Sequence, residues 1–459
     1  MDLAPHPVPV STPTQPAESP PPHLHLHAEY LPNIRQVSLQ ISVPKSMITY
    51  PEISLSESRR AVSVSVSLPE PVSETVKLPA RVSEGSSRVL GSGMKRDKIG
   101  IANGNGSDTM GKRGESALKG RELSYRMQVD DDDDAELVQR GVVEGYMDSF
   151  VPWSAGDMGP FTKLRCRQCK RVLLDKPTTD CASQSEDGTV LQPAGWVWKD
   201  LPSGNWAEMM DFWHCHKPDV PKEHKSDGTA QAEDENSKVK GYGASNQVLA
   251  NPGTVLVDVA TFLVSDIECK GLKKASKTDE ELICEDCGTL VGVEDAIAKG
   301  WRLFKTSLSA GSPSTEDDAK VNWDSHPAEL VVAAQLLELI ERESARRFII
   351  HCGGKDGLLI WVFNPDMRYS NSCSEHSISS QRAMKVFFQA TAKVEEMLHP
   401  EPGKTSSLSL EELRLPRDTF ASLSNALDAS NGILPQSARA FQRDWRVGIL
   451  HRLERTKPT

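Results

Sequence analysis

Two Cys-x-x-Cys pairs, Cys166-Arg-Gln-Cys169 and Cys284-Glu-Asp-Cys287-Gly288, stand more than a hundred residues apart. Each pair can set two thiolates on one side of a tight turn, and two such turns complete a tetrahedral zinc site. Gly288 supplies the backbone freedom that a turn of this kind wants. The interval far exceeds the spacing of about 15–20 residues found in a zinc ribbon, yet long-range closure adds little loop entropy. Three arrangements are open: one four-cysteine site, a mixed site in which Cys166 and Cys169 join Cys215 and His216, or no metal. The first demands a fold that ties the central segment to the later half of the chain. Neither pair is followed by a convincing helix, so thioredoxin-type redox chemistry is not expected. With no open coordination position implied, the zinc would be structural.

The nine cysteines, an odd number, suit a reducing compartment better than a disulfide framework. No run of about 18 apolar residues exists, and the proline-rich start lacks the basic and apolar regions of a signal peptide. Cytoplasm and nucleus are the expected locations. A formal charge of −11 argues against a large nucleic-acid-binding surface. Hydrophobic residues make up 38% of 459, low for a chain folded throughout, so long insertions are expected.

The expected fold class is α+β, with an N-terminal antiparallel β domain (sandwich or open barrel) joined to a mixed α/β region holding the cysteine knuckles. Residues 1–28 read as a disordered tail, in which His23, His25 and His27 alternate; three imidazoles on one strand face could hold a metal, but an unstructured or solvent-facing entry strand is the expected reading. A β-rich domain follows over 29–150. Val37, Leu39, Ile41 and Val43 alternate with polar residues, as do Val62, Val64, Val66 and Leu68, and again Leu123, Tyr125, Met127 and Val129. Asp130 to Asp134 reads as a solvated acidic loop. A central region over 151–307 carries the knuckles, with a disordered insertion at 217–243; further surface insertions are expected at 308–322 and 369–380. The region 323–459 reads as α+β, with strands at 347–352 and 357–363 and another, in the central region, at 255–264. One helix starts near Pro327 and carries Leu330, Ala334 and Leu337; a second carries Met384, Phe387, Phe388, Val394 and Leu398. Trp445, Val447 and Ile449 mark a final strand.

Between the two pairs lies Asn205-Trp-Ala-Glu-Met-Met-Asp-Phe-Trp-His-Cys-His216. Asn205 and Glu208 have the spacing of a capping pair, and Trp206, Met209, Met210 and Trp213 fall on one helical face. Pro218 ends the helix, leaving Cys215 beside His214 and His216 just past an anchored element. A thiol so placed is a nucleophile, a metal ligand, or a core cysteine beside buried tryptophans. Cys352, in His351-Cys-Gly-Gly354, is the rival thiol; Cys373, in a serine-rich loop, has no partner, and Cys181 and Cys269 look incidental.

The Asn205–His216 segment, with Leu164-Arg-Cys-Arg-Gln-Cys169, Leu359-Ile-Trp-Val-Phe-Asn-Pro-Asp-Met-Arg-Tyr369 and Gln442-Arg-Asp-Trp-Arg-Val-Gly-Ile-Leu450, resembles the HECT-like ubiquitin-conjugating-enzyme-binding proteins. The resemblance covers most of the chain, and residues 323–459 would be its HECT-like region. It implies a ubiquitin-protein ligase that meets a ubiquitin-charged conjugating enzyme and passes ubiquitin to a substrate such as cyclin B. Cys215 would be the acceptor, with Asn205, Trp206, Met209, Met210 and Trp213 facing a partner. The family is also linked to the metallo-endonuclease that cuts pre-mRNA 3′ ends. That link implies an alternative: a non-catalytic chaperone or inhibitor whose Cys215 caps the nuclease metal.

Overall fold

The computed structural model describes residues 24–43, 51–67, 71–91, 121–130, 150–177, 195–201, 248–275, 278–313, 321–373, 378–400, 410–442 and 444–454. The chain divides into two compact units. One comprises 1–134 with 369–380, and the other 135–368 with 381–459.

The first unit is antiparallel β. Strands β1 (His25–Leu31), β2 (Gln36–Val43), β3 (Glu52–Leu55), β4 (Ala61–Val66), β5 (Val72–Lys77) and β6 (Arg121–Gln128) form two sheets, β1-β2-β6 and β3-β4-β5. Register places Val37 opposite Met127 and Leu39 opposite both Ala28 and Tyr125. Alternation therefore works as read: Val37, Leu39, Ile41, Val62, Val64 and Met127 are buried, with polar residues between them. Asp130 is tied to Arg59 and Arg81 at 2.9 and 3.0 Å. The entry strand is not solvent-facing, because Tyr369–Asn371 pairs on its outer side. His27 is 1% exposed; its Nε2 lies 3.0 Å from Glu29 and its Nδ1 3.2 Å from Asn371 Nδ2. It is a buried histidine with both nitrogens hydrogen-bonded.

The second unit holds β7 (Lys163–Cys166), β8 (Val172–Leu174), β9 (Val197–Asp200), β10 (Thr254–Val257), β11 (Thr261–Val264), β12 (Leu272–Ala275), β13 (Thr278–Cys284), β14 (Leu290–Asp295), β15 (Gly300–Phe304), β16 (Leu308–Pro313) and β17 (Val321–Asp324). They build a seven-stranded sheet, β12-β13-β14-β15-β11-β10-β9, and a four-stranded one, β17-β16-β7-β8. Residues from both sheets, among them Leu164, Leu173, Phe262, Leu282, Leu303 and Leu308, share one core. The segment expected as one strand at 255–264 is two, folded back where Asp258 and Thr261 pair. The expected insertion at 308–322 instead begins with a strand. Its Ser/Gly composition reads as loop, but Leu308 and Ala310 are buried, and Gly311 sits where a Cβ would lie 2.7 Å from the Trp323 ring.

The remainder comprises α1 (Ala328–Glu343), β18 (Arg347–His351), β19 (Gly357–Asn371), β20 (Gln381–Thr391), α2 (Val394–Leu398), β21 (Leu410–Arg414), α3 (Arg417–Gly432), β22 (Ala440–Phe441) and β23 (Trp445–His451). Strand order is β22-β23-β20-β19-β18-β21, antiparallel except for β21 on β18. Residues 369–371, expected in an insertion, end β19. Two 16-residue helices, α1 and α3, contribute to the core under this sheet, with Leu336 and Leu427 against Phe348, Ile360 and Phe388. The α/β mix is thus smaller than expected: the protein is mostly antiparallel β with few helices. The helix expected through Met384 and Phe388 is β20, with only Val394–Leu398 helical. Around the half-buried Lys385, its residues Ala383, Met384, Val386, Phe387 and Phe388 are buried on both faces, and such a run carries no decisive period.

A polar seam locks α3 onto β23. Asn431 Nδ2 donates to the carbonyls of Arg439 and Val447 at 2.7 and 2.8 Å, and Ser430 Oγ accepts the Ile449 N–H at 2.9 Å. Leu427→Ala should destabilise the protein by about 2–5 kcal/mol, read by urea denaturation, because its site is fully buried and cannot collapse around Gly448.

Lys305 is 0% exposed, its Nζ donating to Pro152 O at 2.7 Å and lying 5.0 Å from the Phe262 ring. Burial pushes its ammonium down to about 7, against the upward pull of Asp258, Asp200 and Asp157. The unfolded amine titrates near its ordinary value of about 10.4, so between the two values the unfolded chain binds the extra proton. Stability from this group therefore rises with pH across that window, by up to about 1.4 kcal/mol per unit. Denaturation curves at pH 7 and 9.5 should show wild type gaining on Lys305→Met as pH rises.

Candidate metal centre

Cys166 closes β7 and Cys284 closes β13, and each opens a turn of the same construction. The Cys166 N–H donates to Arg171 O at 2.8 Å, and the Lys170 N–H returns to Cys166 O at 3.0 Å. In the second turn, Cys284 N–H donates to Thr289 O at 2.9 Å and Gly288 N–H to Cys284 O at 2.9 Å. Lys170 and Gly288 hold equivalent left-handed positions, at φ 69° and 70°. Glycine enters this region without strain, whereas Lys170 is held there by its flanking hydrogen bonds.

The sheets bring the turns face to face. Cys166 pairs with Leu308 in one sheet and Cys284 with Leu272 in the other. Cys166 Sγ lies 3.7 Å from Cys287 Sγ, and Cys169 Sγ 3.5 Å from Cys284 Sγ; all four sulfurs fall within 4.8 Å of one another. A tetrahedral ion with metal–sulfur bonds of about 2.3 Å requires sulfur–sulfur separations of about 3.8 Å. The donor set fits. Arg171 braces the arrangement from outside, its guanidinium pairing with Asp286 and, at 3.2 Å, with Glu285. That side chain crosses Gly271, where a Cβ would stand 1.9 Å from Arg171 Nε.

Burial pushes the Cys166 thiol up to about 12 and raises that of Cys284. At Cys287 the opposing effect of desolvation is outweighed by hydrogen bonds from Thr289, Cys169 and Cys166, and the thiol falls to about 6. Buried first cysteines beside exposed second ones are costly to ionise unless a cation shares the charge. The cluster is a closed four-thiolate donor set, with no water-bearing position for catalysis.

Asn205, Trp206, Met209, Met210, Trp213, His214, Cys215 and His216 lie outside the described residues, as does Cys181. The mixed arrangement with Cys215 and His216 is unnecessary, since Cys166 and Cys169 find their partners in Cys284 and Cys287. Cys352 is half-buried, but its neighbour His351 is fully committed. Its Nε2 lies 2.7 Å from Glu412 Oε1, and its Nδ1 accepts the Gly353 N–H at 3.1 Å. That leaves no nitrogen to take a thiol proton. Burial, helped by Asp266 and Glu268, pushes the Cys269 thiol up. Cys373 is half-buried, and its N–H is held by Asn371 Oδ1 at 2.8 Å.

Sequence reasoning missed Arg171 and an aromatic group around Trp361. Arg171 gave no signal, since its partners lie 114 and 115 residues away. Trp361 and Phe363 carry period two within β19 and could have been read as one face of a strand.

The fold and centre define a mostly antiparallel β protein with an internal four-cysteine cluster able to take a metal. The chain matches the model of the HECT-like ubiquitin-conjugating enzyme (E2)-binding family over residues 29–447, and it belongs to that family. It is 25% identical over 285 residues (62% of this chain and 67% of the relative) to the uncharacterized protein YJR141W of Saccharomyces cerevisiae. An uncharacterized protein of Schizosaccharomyces pombe is 26% identical over 65% of this chain and 77% of its own length. A protein of Rattus norvegicus named as an E3 ubiquitin-protein ligase is 25% identical over 52% of this chain and 61% of its own length. No solved structure matches the chain.

Replacing Cys284 by Ser should remove bound metal and lower the melting temperature by several degrees. Chelation should lower the wild type equally, with metal content read by elemental analysis and melting by calorimetry.

Proposed function

We propose that the protein binds a ubiquitin-conjugating enzyme and promotes ubiquitin transfer to substrate proteins, cyclin B-like ones among them, directing them to the proteasome. The observation that carries this reading is the family match across residues 29–447, which takes in both compact units. The rat and mouse relatives, both named as E3 ubiquitin-protein ligases, support it. In this reading the four-cysteine cluster holds Zn2+ as a structural ion, the metal best suited to a closed tetrahedral thiolate set. Transfer through a thioester would use Cys215, its thiolate stabilised by His214 or His216. Asn205, Trp206, Met209, Met210 and Trp213 would then supply an anchoring face.

The same segment carries a second reading, a non-catalytic partner. Its Cys215 could enter the open metal site of another protein, such as the pre-mRNA 3′-end endonuclease, as a capping thiolate.

A thioester trap separates the two. Purified protein is incubated with ubiquitin, activating enzyme and charged conjugating enzymes, then run on a non-reducing gel. The ligase reading expects a thiol-sensitive ubiquitin adduct that is lost in Cys215→Ala. Retained function in Cys215→His, which can bind metal but cannot carry a thioester, would sink it.

A further inference from the structure

The outer face of the β18–β23 sheet carries an aromatic stripe. Trp361 stands at its centre, with the rings of Phe363, Phe387, Phe441 and Trp445 at centroid distances of 6.4, 5.3, 6.1 and 6.3 Å and steep angles of 82°, 74°, 75° and 72°. Phe387 and Phe441 stack at 4.3 Å. The opposite face of the same strands, with Ile360, Val362, Val386 and Phe388, lies in the core. Arg347, opposite Trp361 in the β18–β19 register, lays its guanidinium 5.3 Å from the tryptophan ring.

Two features set this stripe apart from ordinary core. Phe363 is 53% exposed in the interior of a strand, not at its end. Arg347 is exposed, and the Trp361 ring is the partner the structure gives it; no carboxylate reaches it among the described residues. A rigid aromatic platform beside an unneutralised guanidinium is the composition of a binding hot spot, where a covering partner removes the exposed ring area from water and supplies the missing charge. The occupant this calls for is a protein loop with an apolar side chain next to a carboxylate.

We infer that the Trp361–Phe363–Trp445 stripe with Arg347 is the surface on which the ubiquitin-conjugating enzyme docks, through an apolar, acid-flanked loop. The inference rests on the conjugating-enzyme-binding reading above and assigns that reading a place on the fold. The strands that supply the stripe fall in the stretch matched by the family model, apart from the last residues of β23. The guanidinium sets orientation and salt dependence; the rings supply the affinity.

The test uses the full chain, immobilised, with a panel of ubiquitin-conjugating enzymes, free and ubiquitin-charged, passed over it in biolayer interferometry. Phe363→Ser and Arg347→Glu, both at exposed positions, should each weaken binding at least tenfold while melting and metal content stay at wild-type values. Raising the salt should weaken wild-type binding more than that of Arg347→Ala. Unchanged binding by both variants would overturn the docking surface and leave the conjugating-enzyme reading standing. No binding by wild type to any panel member would overturn both. A concentration-dependent dimer of wild type in sedimentation velocity, lost in Phe363→Ser, would assign the stripe to a second copy of this chain and overturn the proposal.

Discussion

Four sulfur atoms contributed from opposite sides of a 115- to 121-residue interval define the centre on which the second unit is organised. Each knuckle is a local matter of a tight turn with one left-handed residue. Their meeting is not local. It requires the four-stranded and seven-stranded sheets to share a core, so that strand ends at Cys166 and Cys284 converge. An ion that fits between them would offset the charge of thiolates that burial otherwise keeps protonated, and metal and core would then depend on one another.

Polar groups away from this centre follow the same logic of satisfied burial. Lys305 reaches backbone carbonyls, His27 is held between Glu29 and Asn371, and Arg382 grips Asp366 through two nitrogens at 2.8 and 3.1 Å. Each satisfied group fixes a strand or loop in one register and leaves no reactive vacancy. His351 is the instructive case: proximity to a cysteine in sequence suggests chemistry, while its hydrogen bonds spend both nitrogens on structure.

Strands β2, β4 and β6 of the first unit were legible because one face of each is buried, which prints period two directly into the residues; β1, β3 and β5 were not read. Helix α1 was legible from its spacing and from Pro327 at its start. Strand β20 was not, because burial on both faces erases the period that distinguishes strand from helix. Helix α3 went unread although Pro416, Asp418 in the first turn, and Phe420, Leu423 and Leu427 carry an ordinary helical signature. At the centre, the two Cys-x-x-Cys pairs announced themselves, but their partnership depends on sheet packing that no local spacing encodes. The aromatic stripe has the same origin, since its rings come from three separated stretches of chain.

The long interval between the knuckles also has a temporal side. Cys169 leaves the ribosome 115 residues before Cys284, which at synthesis rates of about 5–20 residues per second is a wait of about 6–23 s. Through that interval Cys166 and Cys169 are without the two sulfurs that complete their set in the folded chain. A metal held by all four sulfurs can therefore be bound only once Cys284 and Cys287 have emerged, late in synthesis.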